Sequence, residues 1–267
     1  MKDIRHFFSL KRDPFPQNIA VKDLYVLPSL APMLQRFEFT ISTRNFSLVT
    51  GEVGSGKSTG LRYACHHIPK GSHEILFFTA GKYGMIEFLR QMLLCFGIVS
   101  SSYKNAIMMK QLQDQLLEIH ARHVLPVLII DEAHVLKEEV FNQLHLLSQY
   151  ELDSKPLLPT ILCGQDSLLE KLMTPSARPL ASRIMGRSHL EAIRRDVMVE
   201  YIAHHMSLAG AKDNVFSDGA LTAIHQGSGG LLRRANNLSK GALLAAALEK
   251  NLQVSAEHVR IAMSELI

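Results

Sequence analysis

Eight consecutive residues carry the strongest chemical signal in the chain: Gly51-Glu52-Val53-Gly54-Ser55-Gly56-Lys57-Ser58. The pattern G-x-x-x-x-G-K-[S/T] builds a cradle for a polyphosphate. Its glycines accept positive φ and let the backbone come close, so successive N–H groups converge on phosphate oxygens. A helix opening near Lys57 adds the positive end of its dipole. Lys57 then supplies a point charge for the β and γ phosphates. Ser58 supplies a hydroxyl ligand for Mg2+, and Thr59 a contact to the α-phosphate. At ordinary residue usage a chain of this length meets the pattern by chance roughly 0.01 times.

A second signal is acidic. The run Leu128-Ile129-Ile130-Asp131-Glu132 reads as a buried strand ending in two carboxylates. Asp131, at the strand end, holds Mg2+ directly or through water, and Glu132 orients and deprotonates an attacking water. Hydrolysis of a γ-phosphate needs both roles. His134 completes Asp-Glu-Ala-His, a string found in one helicase class. A helicase reading fails here because no second recombination-like domain is evident and 267 residues leave no room for one.

Polar residues further along complete the set. The apolar run that starts at Thr160 ends in Gly164-Gln165. A strand inserted between the phosphate-loop strand and the acidic strand would carry Gln165 toward the γ-phosphate; the alternative is a simple loop glutamine. Arg178, Arg183 and Arg187 cluster before the last strand. An arginine given to a neighbouring subunit would stabilise transition-state charge, with Arg183 the first choice; a solvated basic face is the alternative for any one of them. Gly229-Gly230-Leu231-Leu232-Arg233 opens a helix in the C-terminal region. Arg233 there suits a lid that contacts the γ-phosphate, or is a surface arginine.

These side chains need a scaffold. Strand patterns over 46–50, 74–79, 124–130, 160–163 and 188–192 alternate with helical patterns over 57 onward, 85–96, 106–120, 138–149, 167–173 and 179–185. Such alternation implies parallel βαβ units with helices on both faces of a sheet. The first 45 residues read as irregular, with a turn-rich Asp13-Pro14-Phe15-Pro16, except for a helical pattern over 30–41. After Ile193 only helices follow, over 197–209, 218–225, 231–248 and 256–266, with Ser217 and Ser255 as N-caps. The division expected is an α/β domain over 1–192, opened by an N-terminal segment over 1–45, and a helical lid over 193–267.

Composition excludes several classes. Apolar residues are 47% and charged residues 20%, so the chain is not disordered. Lys and Arg total 29 against 25 Asp and Glu, a net +4 that permits an anionic partner without demanding one. Cys65, Cys95 and Cys163 lie far apart, against a disulfide framework or a zinc ribbon and in favour of a reducing cytoplasm. The thirteen histidines show no H-E-x-x-H. No signal peptide and no apolar run of the roughly 20 residues needed to span a bilayer is present. Lys82, in Gly81-Lys82-Tyr83-Gly84, and Lys104 sit in basic connections that would face a duplex in a ring; exposed loop lysines are the alternative.

Taken together, Phe7-Phe8 with Asp13-Pro14-Phe15, the phosphate loop, Leu128-Ile-Ile-Asp-Glu-Ala-His134, Leu162-Cys-Gly-Gln165 and Gly229-Gly-Leu-Leu-Arg233 resemble the AAA+ ATPases of the general secretion pathway protein A type, a pattern shared with transposon-encoded helper ATPases. The resemblance implies a P-loop NTPase of the ASCE type: an α/β fold, its parallel sheet flanked by helices, with a small C-terminal all-helical lid. It also implies ATP and Mg2+, adenine held near the N-terminal segment and lid, and ATP-dependent homo-oligomers, ring or filament. Secretion-type members continue into a membrane span and a peptidoglycan-binding part, whereas this sequence closes after the lid at Ile267. That implies a cytoplasmic transposition helper that binds double-stranded DNA as an ATP-bound oligomer and recruits or activates a transposase. A secretion or pilus assembly ATPase acting on protein partners is the rival, and a nucleotide switch without hydrolysis a third reading.

Overall fold

The computed structural model describes residues 2–150, 156–212 and 214–265. In chain order the elements are α1 (Lys2–Phe7), α2 (Leu30–Thr43), β1 (Phe46–Gly51), α3 (Lys57–His67), β2 (His73–Thr79), α4 (Met85–Cys95), α5 (Asn105–Ala121) and β3 (Leu125–Asp131). They continue with α6 (Glu138–Phe141), β4 (Thr160–Gly164), α7 (Ser167–Leu172), α8 (Arg178–Ala181), β5 (Ile184–Leu190), α9 (Arg195–Leu208), α10 (Asp218–Ser228), α11 (Leu232–Leu248) and α12 (Ala256–Glu265). The chain forms two compact units. One comprises Pro28–Gly51 and Lys57–Leu190; the other comprises Met1–Leu27, Glu52–Gly56 and Glu191–Ile267.

The α/β unit is built on a five-stranded parallel sheet of order β2-β3-β4-β1-β5. Its central strands β3 and β4 carry unbroken apolar runs because helices cover both faces. Val127, Leu128, Ile129 and Ile130 of β3 and Ile161, Leu162 and Cys163 of β4 are fully buried. One face of α4 (Phe88, Leu89, Met92, Leu93) and one of α5 (Met108, Leu112, Leu116, Ile119) complete the core. Truncating any of these to alanine costs about 2–5 kcal/mol. The order places β4 between β1 and β3, so Gly51, Asp131 and Gly164 end three adjacent strands. In such sheets ligands bind outside the carboxyl ends of the strands, where the strand order reverses.

The edges depart from the sequence expectation. The last strand begins at Ile184 rather than 188, because β5 pairs only with β1 and alternates exposed Met185, Arg187 and His189 with buried Ser188 and Leu190. That alternation hides the strand among polar residues, and the helix expected over 179–185 shortens to α8. The helix expected over 138–149 is α6 followed by a 3-10 turn, Leu144–Leu147. Buried Phe141, Leu144 and Leu147 recur every three residues, a spacing that a 3-10 turn stacks on one face.

In the second unit α9 to α12 pack with the N-terminal segment. Six-residue α1, where irregular chain is expected, is too short to be stable alone and packs on α11. The Ser217 hydroxyl accepts the Ala220 N–H, the expected cap of α10. Ser255 differs: His258 reaches back, its Nδ1 accepting the Ser255 N–H at 2.9 Å, the reverse half of a capping box. The expected end of that helix at Leu266 lies outside the described residues.

The segment through Asp13-Pro14-Phe15 straps across α9. Arg12 Nε donates to the Leu208 carbonyl, Asp13 pairs with Lys240 at 3.1 Å, and Phe15 stacks on His205. His205 Nδ1 donates to the Pro14 carbonyl at 2.8 Å. Burial holds this imidazole neutral, its pKa pushed down from 6.5 to about 4, with His204 and Arg12 adding and the Pro14 carbonyl and Asp13 opposing. The unfolded chain therefore binds the proton first as pH falls. Its stabilisation is complete above about 6.5 and is lost toward pH 4, on the order of 3 kcal/mol. Thermal midpoints from pH 7 to 4 should fall more steeply for the wild type than for His205→Leu; parallel curves would contradict this.

Candidate active site

Fully buried β1 delivers the chain into the loop at Gly51, and α3 takes it up at Lys57. Gly51, Gly54 and Gly56 all carry positive φ, of 150°, 88° and 98°. Within the α/β unit, Lys57 is 8% exposed and its ammonium donates to the Gly51 carbonyl at 2.9 Å. Ser58 and Thr59 follow it on the first turn of α3, Ser58 exposed.

In the other unit, Glu52–Gly56 lies against the start of α11. The Arg233 N–H donates to the Gly54 carbonyl at 3.2 Å. A Cβ on Gly54 would meet the Arg233 Cβ at 2.9 Å, and one on Gly56 the Leu232 side chain at 3.0 Å. Any side chain at either glycine would therefore displace the loop. Val53, Arg233, Arg234 and Asn237 line a cleft of about 290 Å³. Ser55 Oγ, buried, has no partner among the described residues. An orphaned hydroxyl amid positive-φ glycines is what a phosphate cradle requires, so the residues present fit a nucleotide.

The carboxylates stand at the end of β3. Asp131 Oδ1 accepts the Glu132 N–H at 2.9 Å. The Cys163 thiol, one strand across on β4, faces the Asp131 carboxylate. Burial first, then Asp131, push this thiol well up, while Lys57 opposes and Glu132 adds to the rise. Lys57, Asp131, Glu132 and Cys163 thus share one electrostatic neighbourhood. Ser58 and Asp131 are oxygen donors of the kind Mg2+ takes, usually one or two per protein with water completing the shell.

Glu132 adopts the left-handed conformation, φ 55° and ψ 30°, unusual for a residue with a side chain. This backbone kink ends β3 and leaves the carboxylate half-exposed, 3.4 Å from His134 Nδ1. Gln165 follows β4 directly, and its N–H lies 3.4 Å from His134 Nδ1. Arg183 is held back on its own turn, its guanidinium donating to the Pro179 carbonyl at 2.6 Å; Arg178 and Arg187 are exposed. Sequence reasoning missed Cys163 and the pair formed by Thr50 and His189, 3.0 Å apart at the ends of β1 and β5. Only the strand register reveals them.

A phosphate cradle on β1, an acidic end on β3 and a fourth strand between them define a P-loop NTPase of the ASCE type. Residues 40–172 match the profile of the family AAA domain. The chain is 31% identical over 244 residues to general secretion pathway protein A of Aeromonas hydrophila, covering 90% of this chain. It spans 44% of that relative's length. The Aeropyrum pernix ORC2 protein in ADPNP–ADP complexes superposes with a TM-score of 0.70 at 18% identity, over 96% of this chain and 72% of that one. Drosophila ORC bound to DNA gives 0.71 at 14% identity, over 99% and 66%. The chain belongs to the AAA+ ATPases, of the general secretion pathway protein A type. Among the described residues no helix is long and apolar enough to cross a membrane.

Proposed function

We propose that this AAA+ ATPase hydrolyses ATP with Mg2+, assembles as an ATP-bound homo-oligomer on double-stranded DNA in the cytoplasm, and there recruits or activates a transposase. In this reading Gly51 to Thr59 cradle the phosphates and Lys57 neutralises them. Ser58 and Asp131 hold Mg2+, which, when bound, neutralises charge developing on the transferred phosphoryl group. Glu132 orients the attacking water and takes its proton. Gln165 and Arg233 read the γ-phosphate, and Arg183 acts on the neighbouring subunit's nucleotide after leaving its Pro179 carbonyl.

The observation that carries the DNA reading is a basic and aromatic surface on the α/β unit. Arg90 lies 5.1 Å over the ring of exposed Tyr103, beside exposed Lys104, which precedes α5. Lys82, also exposed, precedes α4. The DNA-bound neighbour supports the same reading. Charge reversal at Lys82 and Lys104 should weaken duplex binding and make its salt dependence shallower by about one unit of slope per lost phosphate contact. Fluorescence anisotropy across a salt series reads this; unchanged affinity and slope would sink the DNA surface.

The identity to general secretion pathway protein A favours a second reading, an assembly ATPase acting on protein partners. Hydrolysis indifferent to DNA would move the assignment there.

A further inference from the structure

We infer that His134 is a positioning residue that couples the end of β4 to Glu132. The inference rests on the reading of Glu132 as the base.

Its Nδ1 has two neighbours: Glu132 Oε2 at 3.4 Å and the Gln165 N–H at 3.4 Å. The two make opposite demands. The carboxylate needs a donor, so Nδ1 must carry a hydrogen to serve it. The amide needs an acceptor, so Nδ1 must present its lone pair. One nitrogen satisfies only one of them at a time. Both distances are at the long end for hydrogen bonds, as for a nitrogen shared between two partners.

The surroundings leave the ring as the part that changes. The turn that carries it is clamped from α7, where Lys171 Nζ donates to the carbonyls of His134 and Leu136. On β4 the bare backbone of Gly164 makes room for the imidazole: a Cβ there would lie 3.1 Å from Nδ1 and 3.3 Å from the His134 nitrogen. The ring is thus wedged between the strand end that presents Gln165 and the carboxylate of Glu132. With Nδ1–H on Glu132, the carboxylate is held in place. With Nδ1 accepting from Gln165, the Glu132 side chain is released to turn toward an attacking water. Movement of the β4 end therefore sets the position of the base.

The test is steady-state ATP hydrolysis by the full chain and its variants, with binding of a fluorescent ATP analogue as a check on the fold. His134→Phe keeps the ring's bulk and removes its nitrogens. It should lower kcat about tenfold or more and leave the ATP half-saturation within about twofold. His134→Asn, whose amide donates or accepts near the Nδ1 position, should stay within about threefold of wild type. Gly164→Ala, which pushes the ring aside, should match His134→Phe, and the double variant should lose little more. Wild-type kcat in His134→Phe, or equal impairment in His134→Asn, would overturn the coupling. Glu132→Gln in the same assay separates the two claims. If it still turns over, the base assignment fails; if it is dead while His134→Phe is fully active, only the coupling fails.

Discussion

Lys57→Ala is expected to abolish measurable nucleotide binding. In the folded chain its ammonium is buried and donates to the Gly51 carbonyl, so it waits beside the cradle with its stem already ordered. A phosphate chain arriving there replaces a neutral acceptor with an anionic one, and charge-assisted bonds are roughly twice as strong as neutral ones. Removing one partner of such a buried contact costs about 2–5 kcal/mol, or some 30-fold to several thousand-fold in Kd. The Gly51 carbonyl would also lose its donor, costing about 1–3 kcal/mol of stability. Thermal unfolding must therefore accompany the titration, so that weak binding is read on folded protein. Binding at normal affinity would contradict the site.

Glu132→Gln is expected to separate binding from turnover. The substitution keeps the shape, exchanges one acceptor oxygen for an NH2 donor and removes the proton acceptor. General base contributions are typically 10²–10⁴-fold, so hydrolysis should fall by about that factor while the nucleotide stays bound. ATP-bound oligomers should then accumulate, visible by size-exclusion chromatography with light scattering in ATP and not in ADP. Persistent turnover would remove Glu132 as the base. A wild type without any turnover would instead favour a nucleotide switch in which Glu132 activates nothing.

The phosphate loop and the acidic strand end are legible in sequence for a physical reason. Positive φ and close backbone approach dictate Gly54 and Gly56, and a strand buried on both faces dictates the run ending at Ile130. Where constraint is weaker, legibility fails. Edge strand β5 needs only every second residue apolar, so its first two residues pass for the end of a helix and the next two for a connection. The turn after α6 is set by burial of Phe141, Leu144 and Leu147, a spacing equally readable as helical. Ser255 has the composition of an N-cap, but His258 takes the bond.

The site shows the same division. Asp131 and Glu132 announce themselves by place, whereas Cys163 matters only because parallel register sets it across from Asp131. His134 lies in plain view in Asp-Glu-Ala-His, yet its role depends on Gly164 and Gln165, thirty residues or so downstream and one strand across. The close approach of Glu52–Gly56 to Arg233 is likewise a long-range fact that no local pattern encodes.

The most direct test of the account is steady-state ATP hydrolysis with and without duplex DNA, at low and at moderate salt. The expected result is hydrolysis that needs Lys57 and Glu132, is stimulated by duplex, and loses that stimulation as salt rises. Hydrolysis that is indifferent to duplex, with no DNA binding even at low salt, would contradict the DNA-dependent assignment.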